Sequence, residues 1–96
     1  MKSKKKVSKG AWLAGVAVGL KSEVLDIQGK TVKNALASLR FKGVKDVRVG
    51  KHFWLVLGGG MSEAAARREV KRIAEKVLVN PVIETFSFTM KRSGRP

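Results

Sequence analysis

His52 is the only histidine in this 96-residue chain, and there is no cysteine. A metal site built from several histidines or from thiolates is therefore excluded, as is a cysteine nucleophile. Acid–base chemistry would have to rest on carboxylates or lysines. No serine, histidine and acid stand at a spacing that argues for a nucleophilic set. Gln28-Gly29-Lys30-Thr31 resembles the end of a phosphate-binding loop, but that loop needs a further glycine five positions before Gly29, where the chain has Val24. The tetrapeptide instead suits the first turn of a helix. The expected catalytic residues are none, and the expected metal ligands are none.

The formal net charge is +14. Lys2, Lys4, Lys5, Lys6 and Lys9 crowd the first nine residues, and Lys91, Arg92 and Arg95 the last six. These ends hold 8 of the 21 basic residues and none of the 7 acidic ones, so much of the excess is tail charge. The organisation expected is a basic tail over residues 1–10, one domain over 11–90 and a second basic tail over 91–96. The tails could attract nucleic acid or another acidic partner. Lysines followed by the apolar run Ala11 to Leu20 imitate a secretory signal, but the run is short, and Lys21, Ser22 and Glu23 offer no small-residue cleavage site. The run is also too short to span a bilayer. A cytoplasmic chain without membrane contact is the expectation.

The elements that must position any site follow from periodicity. In the first run Trp12, Ala14, Val16, Val18 and Leu20 alternate with Leu13, Gly15, Ala17 and Gly19, a strand with one bulky and one small-residue face. Asp26 suits a helix N-cap, and Val32, Ala35, Leu36 and Leu39 then form one apolar stripe. Gly43 is the expected left-handed stop. Val44 to Val49 and His52 to Leu57 read as two strands joined by a type II′ turn at Gly50-Lys51. Ser62 caps a second helix with the stripe Ala66, Val70, Ile73, Ala74, Val77 and Leu78, which Asn80-Pro81 ends. Val82 to Met90 is the last strand.

The order β-α-β-β-α-β predicts a ferredoxin-like α+β fold, an antiparallel sheet with both helices on one face. The other sheet face should be polar in a monomer. Instead Leu13, Ala17, Trp54, Val56 and Ile83 point to it, which predicts oligomerisation through the sheet. Leu13, Gly15, Ala17, Trp54 and Val56 are the interface candidates. Sheets of this kind also bind RNA by stacking bases on exposed aromatics, and the basic charge keeps a nucleic-acid-binding module as the alternative. Gly50-Lys51-His52-Phe53-Trp54 is only a fragment of that signature, and tyrosine is absent.

Three segments favour another reading. Val24-Leu25-Asp26-Ile27-Gln28-Gly29-Lys30-Thr31-Val32, Asp46-Val47-Arg48-Val49-Gly50-Lys51 and Leu78-Val79-Asn80-Pro81-Val82-Ile83-Glu84, in this order and spacing, resemble the PurS family. The resemblance runs from about Val16 to Met90. It implies the small subunit of phosphoribosylformylglycinamidine synthase in de novo purine biosynthesis, itself a dimer or tetramer. It implies partners, a glutaminase subunit that releases ammonia and an ATP-dependent synthetase subunit, which this chain would bridge while assisting ammonia transfer. It implies membership of a C–N ligase complex that uses ATP, magnesium and glutamine, none of them bound by this chain. Within the matching segments, Arg48, Gly50, Lys51, Asn80 and Pro81 are the candidates for partner contact.

Overall fold

The computed structural model describes residues 10–92. The first strand, β1 (Trp12–Leu20), lies at the centre of a three-stranded antiparallel sheet. Helix α1 (Ile27–Ser38) follows, then β2 (Gly50–Leu57), α2 (Glu63–Ile73) and β3 (Glu84–Lys91). The strand order is β2-β1-β3, with Trp12 opposite Leu57 on one side and Leu13 opposite Lys91 on the other. The basic residues 2–9 and Arg95 lie outside the described residues. The strand β3 includes Lys91, and Arg92 places its guanidinium 4.2 Å from the Trp12 ring centre.

Alternation along β1 sorts the core as its sequence suggests. Trp12, Ala14, Val16 and Val18 are buried on one face against Ala66, Val70 and Ala74 of the second helix, with Leu57 beside them. Ala66 and Ala74 are small enough for the helix to approach the sheet closely. Val70, fully buried between them, contributes about 1.5–3 kcal/mol through its burial. Phe53, Leu55, Phe86, Phe88 and Met90 complete this face from the outer strands, half-buried. The Trp12 indole Nε1–H donates to the Met61 carbonyl at 3.0 Å, so its polar end is satisfied.

Four local expectations are corrected. No hairpin forms at Gly50-Lys51. Residues 44–49 are irregular, and Gly50 is already paired with Gly19 as the first residue of β2. Gly50 answers a close approach and not a turn, because a Cβ there would strike the Val18 carbonyl oxygen. The sheet therefore has three strands, not four. Second, α1 does not lay its stripe on the sheet. Leu39 is 67% exposed and Val32 40%, and only Gly29 of the whole helix is buried. One helix, α2, covers the core face.

Third, Gly43 is not the helix stop. Arg40 takes the left-handed conformation (φ 72°), with Arg40 N–H donating to Ala37 O and Phe41 N–H to Leu36 O, each at 3.0 Å. That bond pair is a Schellman motif built without glycine. Fourth, α2 closes in a π-helical turn, Ala74–Leu78, where Val79 N–H reaches back five residues to Ala74 O. The extra residue rotates Val77 away from the stripe, and it is 75% exposed.

Candidate functional site

The end of β1 at Leu20 gathers groups from distant parts of the chain. Asp26 caps α1 in an extended conformation (φ −104°), and its Oδ1 accepts the Gly29 N–H at 2.8 Å. Its Oδ2 accepts the Val49 N–H at 2.7 Å. One carboxylate thus ties the helix start to the entry of β2. These two backbone donors, first Val49 and then Gly29, hold the Asp26 carboxyl below its ordinary value, with a smaller contribution from Arg48. Burial opposes them but does not prevail. A carboxylate so occupied is a structural tie, not a proton carrier.

Gly29 sits in the first turn of α1, and a side chain there would meet the Val47 carbonyl oxygen and the Asp26 carboxylate. Here the glycine is a packing requirement. The helix N-terminus, where a phosphate loop would hold its anion, is filled by the chain's own Asp26. Arg48 lies beside this tie. Its Nη2 donates to Lys21 O at 2.9 Å and Val24 O at 3.1 Å, so it pins the loop between β1 and α1. Arg48 is otherwise exposed, with this one guanidinium nitrogen bonded to its own backbone.

The third segment arrives from the opposite edge. Asn80 N–H donates to Glu84 Oε1 at 2.7 Å, and Asn80 Oδ1 accepts Val82 N–H at 3.1 Å, forming the turn that leads into β3. Lys21 N–H donates to Ile83 O at 2.8 Å. The exposed Lys51 Nζ stands 3.9 Å from Oε2 of the half-buried Glu84, a long pair of small energetic weight. Val18, Gly19, Leu20, Asp26, Gln28, Val49, Gly50, Lys51 and Glu84 line an open cleft of about 380 Å³. Pro81 and Glu84 contribute to a neighbouring cleft of about 300 Å³.

The structure therefore brings Arg48, Gly50, Lys51 and Asn80 to one end of the sheet, with Pro81 at its margin. Asp26, Gly29 and Glu84 belong to the same construction but were not among the site residues expected. Asp26 carried a signal as an N-cap, and Glu84 carried none beyond its place in the third segment.

The open sheet face carries the other candidate group. Trp54 is 53% exposed and Val56 48%, while Leu13 is buried between the outer strands. Trp54 stands opposite Gly15, and His52 opposite Ala17. The His52 and Trp54 rings lie 4.5 Å apart, tilted by 60°. Both rings lean over Gly15, where even a methyl group would be tight against them. Ile83 lies in the turn before β3 and is 36% exposed.

Comparison with known proteins places this geometry. The family model for PurS, described as phosphoribosylformylglycinamidine (FGAM) synthase, matches residues 13–92. The chain belongs to the PurS family. Its PurS relatives include the "Phosphoribosylformylglycinamidine synthase subunit PurS" of Bacillus subtilis, 40% identical over 76 residues, which are 79% of this chain and 88% of that one. The protein of the same name from Archaeoglobus fulgidus is 37% identical over 79 residues, 82% of this chain and 98% of that one. Among solved structures, Thermus thermophilus PurS superposes with a TM-score of 0.77 at 30% identity, covering 86% of this chain and 98% of that chain. A chain of the structure of PurLQS from Thermotoga maritima superposes with a TM-score of 0.77 at 28% identity, covering 84% of this chain and 98% of that one. All three segments that meet at the Asp26 tie fall inside the PurS match.

Proposed function

We propose that the chain works as the small, non-catalytic subunit of a phosphoribosylformylglycinamidine synthase complex in purine biosynthesis. The match of the PurS family model over nearly the whole described chain carries this reading. The site chemistry agrees with it. Asp26, the buried acid of the junction, is satisfied by two backbone donors, and the start of α1 is closed to a phosphate. Such a junction fixes a shape and carries out no reaction.

In this role the chain contacts a glutaminase subunit and an ATP-dependent synthetase subunit, bridges them and assists ammonia transfer between them. ATP, magnesium and glutamine are used by those partners. The cleft at the Asp26 tie, with Lys51, Gly50, Asn80 and Pro81 around it, is the partner-facing end. The open sheet face, where Trp54, Val56 and Ala17 are exposed while Leu13 and Gly15 lie buried beneath, is a self-association surface, and the cytoplasm is the site of action. Among the described residues no helix is long and apolar enough to cross a membrane.

The test is co-purification of the tagged full chain from an extract of its own organism, with glutamine and magnesium nucleotide present. Recovery of the synthetase and glutaminase subunits in fixed proportion is the expected result. Recovery of RNA alone, released by salt as phosphate contacts require, would favour a nucleic-acid role instead.

A further inference from the structure

The two ends of the described chain meet. Arg92 Nη1–H donates to the Gly10 carbonyl, and the same guanidinium stands 4.2 Å from the Trp12 ring centre. Gly10 suits this clasp, because it turns at φ 82° and a Cβ on it would be tight against Arg92 Nη1. Ala11 beside it is buried, and Leu13 pairs with Lys91. The sequence beyond the clasp is basic on both sides. Lys2, Lys4, Lys5, Lys6 and Lys9 precede Gly10, and Arg95 follows Arg92, with no acidic residue among them. Groups 82 residues apart in sequence thus root their charge at one pole of the fold. Arg92 is taken up by the clasp, which leaves those six cations and the exposed Lys91.

This pole lies at the start of β1, and the Asp26 junction lies at its end. The nine residues of β1 separate the two by about 26 Å at ~3.3 Å per step. That is roughly three Debye lengths at physiological salt. The basic charge is therefore anchored well away from the junction. Trp12 also reaches the start of α2 through the Met61 carbonyl, and the acid there, Glu63, is already paired with Arg67 at 3.1 Å.

We infer that this pole is a nucleic-acid grip, in which the two basic ends close on the phosphate backbone of one RNA strand and hold it by charge, not by base sequence. The composition of the ends selects this occupant. Lysine ammonium groups on a short polar chain match a run of phosphates, and their binding releases the counterions condensed on it. A protein partner would need an apolar centre to the contact. Residues 1–9 offer only Met1 and Val7 towards one, and residues 91–96 only Pro96. A bilayer is held stably by a polybasic segment only with a second, apolar anchor, which the same residues lack. The clasp between Gly10 and Arg92 is what makes both ends act on the same strand. The grip is separate from the junction at Asp26 and does not depend on the purine-pathway reading.

The test titrates a short, labelled, mixed-sequence single-stranded RNA with the full-length chain and reads fluorescence anisotropy across a range of salt. One oligonucleotide should bind per chain, and log affinity should fall against log salt with a slope approaching about −5, at ~0.7 per phosphate neutralised. A full-length variant carrying Lys2→Gln, Lys4→Gln, Lys5→Gln, Lys6→Gln and Lys9→Gln should bind at least tenfold more weakly, with the slope flattened to about −1.5. A second full-length variant removes as much charge elsewhere, through Lys30→Gln, Lys42→Gln, Lys45→Gln, Lys71→Gln and Lys76→Gln, all at exposed positions. It should lose less than about threefold, because distant surface charges are screened. The inference is overturned if the two variants lose affinity equally, since net charge and not the pole would then hold the RNA. It is overturned too if each chain takes two short oligonucleotides, which would mean that the ends act apart. Displacement of the RNA by anionic lipid vesicles, or by an acidic peptide at equal charge, would assign the pole to a membrane or a protein and equally sink it.

Discussion

Gly29→Ala sets two physical effects against each other at one atom. Gly29 lies inside the first turn of α1, where alanine is the better helix former by about 1 kcal/mol. Propensity alone therefore predicts stabilisation. The added Cβ, however, would press on the Val47 carbonyl oxygen and on the Asp26 carboxylate. Neither can retreat cheaply. Val47 is two residues from Val49, whose N–H is bonded to Asp26, and Asp26 is held by the backbone of both Val49 and Gly29. Forcing an extra group into such a contact costs typically about 1–3 kcal/mol. The net expectation is a loss of about 1–2 kcal/mol. For a domain of this size that lowers the melting temperature by roughly 4–8 °C per kcal/mol. Circular dichroism melts of both proteins at one concentration read the shift, since self-association makes melting concentration-dependent. An alanine variant as stable as the parent, or more stable, would refute the account of the junction.

Arg40→Gly should stabilise the chain by about 1 kcal/mol, because the side chain at φ 72° is strained in the left-handed region; an unchanged or lower urea midpoint contradicts this. The Asp26 carboxyl is depressed when folded, so its contribution is present above the unfolded value of 3.8 and fades as pH falls through the lower folded value. Stability should therefore drop in acid, and Asp26→Asn should be less stable at neutral pH with a flatter acid limb; parallel limbs would remove Asp26 as a cause. Trp54→Glu places a charge on the open sheet face and should lower the solution mass measured by light scattering, whereas unchanged mass would take Trp54 out of any self-contact.

What the sequence revealed depended on how local the signal was. The strand β1 was legible from alternation, and both helix starts from Asp26 and Ser62, whose side chains accept Gly29 N–H and Ala65 N–H. Gly50 misled because two different needs select glycine. A turn requiring positive φ and a strand crossing close to the Val18 carbonyl look alike in sequence. The stripe Val32, Ala35, Leu36 and Leu39 was read correctly as apolar but wrongly as core, because periodicity reports that a face wants cover and not what supplies it. Arg40 shows the converse, a left-handed residue without glycine's signature. The segments quoted for the family resemblance all reach the candidate site. Their meeting rests on bonds such as Val49 to Asp26 and Arg48 to Lys21, which cross 23 and 27 residues. No local pattern announces such contacts.

The most direct test of the central claim is reconstitution. The purified synthetase and glutaminase subunits of the same organism are mixed with formylglycinamide ribonucleotide, magnesium–ATP and glutamine, with and without this chain. Amidation of the ribonucleotide should depend on adding the chain and should saturate at a fixed subunit ratio, while the chain alone turns over neither glutamine nor ATP. Full glutamine-dependent activity without the chain, or none after it is added to partners that are active with ammonia, would contradict its assignment as the third subunit.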